Sequence, residues 1–337
     1  MLTFCVLHPG TFSLEQFADP HYGRFARSFL RNLFSNSLLL IDHQGCLLDE
    51  LELKISQLPI KHRQELEIHL ESLRISLRSK KSRQVIVKCS PERCPISKNQ
   101  SSDRKCGVLS KNTSVDAVVC GAGDLRSLQA EIPAGLLIEL PDYDDSSVES
   151  TRRSWLDGLP PVDQMGDGQF DELIIRVTRY STWLRFYDKQ IGKGTNPSNF
   201  RRGIERILQL WVRNCHFVPQ TVEIITTESD SEVARDGEFE NQRRRERSRQ
   251  AIATVKERIV TPLERTYSLR FSLSVKQDGS NTFHARHLQS QTSNILFERG
   301  FDFINEDGSF RRAFIQMANG AQSHLQEYRL SSESVQV

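Results

Sequence analysis

The sequence predicts an α/β protein made of two α/β domains, and three observations carry that expectation. At 337 residues and 38.7 kDa the chain has room for two units of ordinary size. Short apolar runs at 38–41, 115–119, 136–140 and 221–227 have the length of buried strands. Between them lie stretches whose apolar residues recur every three or four positions, the spacing of amphipathic helices. Strands alternating with helices build a sheet with helices packed on it.

Taken in order, Leu38-Leu39-Leu40-Ile41 closes at Asp42, and His43-Gln44-Gly45 supplies the turn. Residues 47–54 follow with several acids. Leu66, Leu70, Leu73 and Leu77 predict a helix over 61–79, and 84–88 reads as a second strand. The polar stretch 97–112 reads as an exposed loop, with 115–119 and 136–140 as further strands. Residues 141–168, with Pro160-Pro161 and little periodicity, mark the boundary. The expected division is a front domain at 1–145, a linker at 146–169, a back domain at 170–330 and a tail at 331–337. In the back domain 172–178 reads as a β-rich run. Phe200, Ile204, Ile207, Leu208 and Trp211 give one helical face over 198–213 behind a Ser/Asn cap. Residues 239–263 read as a long helix, and 221–227, 267–275, 282–288 and 294–297 as strands.

Composition narrows the class. Hydrophobic residues make 37% and charged residues 26% of the chain, with 12 Pro and 18 Gly, which excludes collagen-like, low-complexity and wholly disordered chains. No apolar run reaches the roughly 18–20 residues of a membrane span. The first ten residues have neither the basic nor the apolar region of a secretory signal. Seven scattered Cys, an odd number, argue against a disulfide framework and for a reducing compartment. The expected location is therefore cytoplasmic. A net charge of +2 provides no bulk attraction to nucleic acid. Walker A, Gly-x-Gly-x-x-Gly after a strand, His-Glu-x-x-His and Gly-x-Ser-x-Gly are all absent, which leaves NTPase, dehydrogenase, zincin and α/β-hydrolase readings without support.

The back half holds the most informative stretch, Phe283-His284-Ala285-Arg286-His287-Leu288 followed by Glu298-Arg299-Gly300-Phe301-Asp302. In a strand His284 and Arg286 share one face. An imidazole beside a guanidinium suits a phosphodiester: the first attacks or moves a proton, the second grips phosphate oxygens in a fork. Glu298 or Asp302 would orient the His. These residues, with Tyr180–Gly192, resemble the phospholipase D superfamily, and more narrowly the single-copy phospholipase-D-like domain of MIT-domain proteins and bacterial relatives. The resemblance spans about residues 170–330. It implies that Asp188 is carried by a strand to the mouth of the sheet; the expected site has His284 and Arg286 on a phosphate, with Asp188 and Glu298 supporting them. Arg286 stands where the superfamily has Lys, and no second His-x-Lys copy occurs; the MIT-type relatives bind phosphorylated ligands.

In the front half Asp42, Glu50, Asp116 and Asp124 flank strand candidates. Carboxylates gathered at strand ends hold Mg²⁺ or Mn²⁺, and two such ions clamp an in-line phosphoryl displacement. The segments 40–50 and 115–125 resemble the first and late motifs of a PIN-like nuclease domain over about residues 30–140, with Ala122 where that family has an acid. The resemblance implies metal held by Asp42, Glu50, Asp116 and Asp124.

Arg243, Arg244, Arg245 and Arg247 head the long helix and offer a phosphate-tracking patch, or a solvated face, since Glu240 and Glu246 interleave. Cys89, Cys94, Cys106 and Cys120 lack the close pairing of a zinc site. Trp183, Phe186 and Tyr187 read as core. The leading expectation is a bacterial, metal-dependent nuclease, with the two resemblances placing it in phage defence or a mobile element, acting on nucleic acid with a protein partner or as a homodimer. The competing expectation is a non-catalytic adaptor or sensor that binds a protein, nucleic acid or, peripherally, anionic phospholipid through degenerate sites.

Overall fold

The computed structural model describes residues 3–78, 85–88, 115–123, 128–129, 132, 134–166, 168–191, 198–227, 246, 250, 252–276, 286–318, 325, 329 and 334–336. It is an α/β protein of two compact units, Met1–Asp157 and Gly158–Val337. No described helix is long and apolar enough to cross a membrane.

The front unit is built on a parallel sheet of β1 (Thr3–Leu7), β2 (Ser37–Ile41), β3 (Ile86–Lys88), β4 (Ala117–Cys120) and β5 (Leu137–Glu139), in the order β3-β2-β1-β4-β5. Every residue of β1, β2 and β4 is buried. That is why these segments are continuous apolar runs without alternation. Helices α1 (Tyr22–Asn36), α2 (Cys46–Ser56) and α3 (Ile60–Arg78) follow in the chain. In α1 the buried residues Tyr22, Ala26, Phe29, Leu30 and Leu33 form one stripe, which packs on β2 and α3. The central strand β1 and helix α1 have no counterpart in the sequence reading. A five-residue buried strand shows no period, and the Pro9-Gly10 turn after it was the one available mark.

The unit boundary falls at Asp157, inside the expected linker, but 146–157 is not irregular. Helix α4 (Ser147–Asp157) belongs to the front unit. Its fully buried Glu149 takes Arg152 at 2.5 Å and Arg153 at 2.9 Å.

The back unit carries a mixed sheet ordered β11-β10-β9-β6-β7-β8-β12. Strands β6 (Trp183–Tyr187), β7 (Thr221–Thr227) and β8 (Arg270–Lys276) are parallel. The outer strands β9 (His287–Gln289), β10 (Asn294–Phe297), β11 (Ile315–Met317) and β12 (Ser334–Gln336) join antiparallel. Its described helices are α5 (Gln169–Thr178), α6 (Ser198–Asn214) and α7 (Thr261–Thr266), the last continuing a π-helical turn at Lys256–Val260. One sheet face is apolar: Leu184, Phe186, Val222, Ile224, Leu273, Val275, Leu288, Ile295 and Phe297 are buried there. Phe301 stands edge-on to Phe186 at 5.0 Å, and Phe303 stacks on Phe297 at 5.4 Å, so an aromatic cluster extends that core.

Two expectations are corrected. Residues 172–178 are helix, not strand, because Phe170, Leu173, Ile174 and Val177 fall on one helical face while Asp171 and Glu172 sit in the first turn. The expected tail contains β12, whose Val335 is in register with Val275 of β8.

Candidate functional site

In the back unit β6 ends at Tyr187 and delivers Asp188 just past the strand. The Asp188 side chain is fully buried. Its Oδ1 accepts the Gln190 N–H at 2.9 Å and its Oδ2 the Phe301 N–H at 3.2 Å. The Arg286 Nε lies 3.5 Å from Oδ1. Arg286 immediately precedes β9 and donates through Nη1 to the Glu298 carbonyl. Gly300 completes the arrangement with φ +72°, and a Cβ there would come within 1.9 Å of Asp188 Oδ2. Across the turn, Gly203 of α6 lets the Phe301 carbonyl approach to 2.0 Å of where a Cβ would sit. Only glycine fits either place.

No protein-family model matches the chain, and no curated protein matches its sequence.

The chemistry of the turn follows from its own geometry. Three of the four residues expected as catalytic meet here: Asp188 and Arg286 through side chains, Glu298 through its carbonyl, with its side chain exposed. His284 lies outside the described residues. The neighbouring cations are also paired. Arg311 reaches Asp302 at 2.9 Å, and Arg202 reaches Asn199 at 2.6 Å and Glu306 at 3.4 Å. Burial raises the Asp302 carboxyl above its ordinary range, and Arg311 opposes that rise. A fully buried carboxylate that accepts two backbone N–H groups and forms an ion pair with an arginine fixes the turn at 298–302 in place.

The four front-half acids do not form one site among the described residues. Asp42 follows β2, at the carboxyl edge of the parallel sheet, and its carboxylate accepts the N–H groups of Gly45 at 2.9 Å, Cys46 at 3.0 Å and Leu47 at 2.7 Å. It caps α2. Asp116 precedes β4, at the opposite edge, and accepts the Phe4 N–H at 2.8 Å. Cys5 is in register with both Leu39 and Ala117. Asp42 therefore lies four residues further along the sheet than Asp116, about 13 Å at ~3.3 Å per residue. Oxygens around one divalent ion all sit within about 2.6 Å of it. Glu50 is on α2, the helix that Asp42 caps, and Asp124 lies outside the described residues. No group of three His, Cys, Asp or Glu able to hold a metal occurs among the described residues. Arg243, Arg244, Arg245 and Arg247 lie outside them as well, as do Cys89, Cys94 and Cys106.

The sequence reading missed the other face of the back sheet. Phe186 and Tyr187 are core as expected, but Trp183 is half-buried and carries the Arg185 guanidinium 3.9 Å from its ring centroid. Arg185 stands opposite Glu223 on β7 and Gln289 on β9. The available signal was a charge at alternate positions of two strands, Arg185 in β6 and Glu223 in β7.

Proposed function

We propose that the chain is a non-catalytic adaptor or sensor, built on a PIN-like front unit and a phospholipase-D-like back unit, that binds its target rather than cleaving it. The observation that carries this reading is the fully buried Asp188, whose oxygens accept the Gln190 and Phe301 N–H groups and lie in an ion pair with Arg286 at 3.5 Å. In a hydrolytic site that acid and that cation would face the substrate; in this chain they hold the turn at 298–302. The capping role of Asp42 and the opposite-edge position of Asp116 support the same reading for the front unit.

The hydrolase reading, a nuclease that works through Mg²⁺ or Mn²⁺ in the front unit or without metal in the back unit, has one observation in its favour, and it lies in the back unit. Asp188, Arg286 and Glu298 meet at one turn, as the phospholipase-D-like resemblance implies. A cleavage assay on single- and double-stranded DNA and RNA, in Mn²⁺ or EDTA, separates the two. The adaptor reading expects no turnover by wild type under either condition. Turnover abolished by EDTA and by Asp42→Asn would establish a metal nuclease in the front unit. Turnover insensitive to EDTA and abolished by His284→Ala would place the chemistry in the back unit.

A further inference from the structure

Among the described residues the back sheet ends at β11, and the hydrogen-bonding edge there is open. Two bonds at the ends of the ladder fix which way each residue of β11 points. The Glu298 N–H donates to the Phe314 carbonyl at 3.0 Å, and the Ala318 N–H to the Asn294 carbonyl at 2.9 Å. Phe314 and Ala318 therefore face β10, and so does Gln316 between them, in register with Leu296. Ile315 and Met317 fall in the non-bonded pairs, with their N–H and C=O groups directed away from the sheet. Among the described residues nothing hydrogen-bonds to those groups. On the same side, the Ala313 carbonyl takes the Val162 N–H at 2.8 Å. The chain thus covers the start of this border with its own backbone and leaves 315–317 uncovered.

The side chains along this border supply what a partner would read. Phe314 is 45% exposed, and the Arg312 guanidinium lies 5.8 Å from its ring centroid. Arg299 follows Glu298, the residue bonded to Phe314, so the exposed side chains of Arg299, Arg312 and Glu298 gather at the amino end of β11. Neither arginine enters an ion pair among the described residues. An edge with unpaired N–H and C=O groups is a template for a further strand. In such strand addition the main-chain bonds give affinity and alternate side chains give selectivity. A second copy of this chain brings the same excess of cations to the border, whereas an acidic segment complements it.

We propose that β11 is a docking edge for an extended, acidic segment of a partner protein, which joins the sheet as a further strand beside Ile315–Met317. Its backbone bonds to the outward groups of Ile315 and Met317, its carboxylates meet Arg299 and Arg312, and an apolar side chain packs on Phe314. This docking role rests on the adaptor reading and names its class of partner. Asp188 and Arg286 take no part in it.

The test pans a phage-displayed library of random peptides on the full chain at low salt. Clones that bind wild type are expected to be rich in Asp, Glu and β-branched residues. Their binding should weaken about two- to fivefold on Arg312→Gln and further as salt rises. Met317→Pro removes one outward N–H and leaves the bonds to β10 in place, so it is expected to fold as wild type does and to bind about tenfold more weakly. A selected peptide N-methylated on the amides that face β11 makes the same cut from the partner's side, with the protein unaltered. Amide hydrogen exchange then reads the geometry: Ile315 and Met317 are expected to slow on binding, while Gln316 and Ala318, already bonded in the ladder, change little. A library that returns no acidic clone, equal binding by the N-methylated peptide, or unchanged exchange at 315 and 317 overturns the proposal. Dimerisation of the free chain that Met317→Pro abolishes gives the edge to a second copy and overturns it as well. Turnover in the cleavage assay removes the adaptor reading without altering these readouts, and failure here leaves the adaptor reading with its docking surface elsewhere.

Discussion

Glu149 shows how one residue ties the front unit to pH. Burial disfavours its charge, yet the Arg152 and Arg153 guanidiniums outweigh burial and hold the carboxyl below its usual 4.5. A folded-state value below the unfolded one stabilises the fold above the unfolded value, and that stabilisation is lost as pH falls through the lowered one. Glu149→Gln leaves Arg152 buried without its counter-charge, and the expected cost is about 3–5 kcal/mol. Urea unfolding at pH 7 and again below pH 4 checks this: the wild-type advantage over the variant should shrink at the lower pH. Cys5 makes the opposite case. Burial is the main cause that pushes its thiol up to about 12, with Asp116 adding to the rise. It should stay unalkylated by iodoacetamide at pH 8 while the exposed Cys46 reacts, as peptide mass mapping will show.

At the scale of elements, the turn joining β10 to Phe301 depends on two glycines. Gly300→Ala places a methyl against the Asp188 carboxylate at a positive φ, with an expected loss of roughly 2–4 kcal/mol. Gly203→Ala forces α6 away from the Phe301 carbonyl. Both variants should broaden or shift the methyl and aromatic NMR signals of Phe186 and Phe297 neighbours more than those of the front unit. This level was partly legible from sequence. The strands at 38–41 and 221–227 and the helices over 61–79 and 198–213 lie where their apolar residues put them: 38–41 as a run buried throughout, 198–213 as one buried face. The β-rich reading of 172–178 failed because Ile174, Ile175 and Val177 are β-branched, while burial selects the helical stripe that includes Phe170. The partners of Asp188 were legible only as a resemblance. Nothing in spacing alone says that residues 188, 286 and 300 meet.

For the whole molecule, the distinction between the two edges of the front sheet decides what its acids can do. Parallel strands put every residue that precedes a strand at one edge and every residue that follows a strand at the other. Asp116 and Asp42 were separable on that ground once the sheet was known to be parallel. Separately produced fragments covering 1–157 and 158–337 are expected to fold, since each unit has its own sheet and core. Far-UV circular dichroism and a cooperative melt of each fragment provide the check, and a fragment that stays unfolded would contradict the division. The pairing of β12 with β8 has a consequence for handling the protein. Residues 334–336 cover the Ser274–Lys276 end of β8, a seven-residue strand that would otherwise present unpaired N–H and C=O groups along an open border. Shortening the chain before Ser334 removes this guard and leaves a template onto which a strand from another chain can add, so truncated preparations should self-associate where the full chain does not.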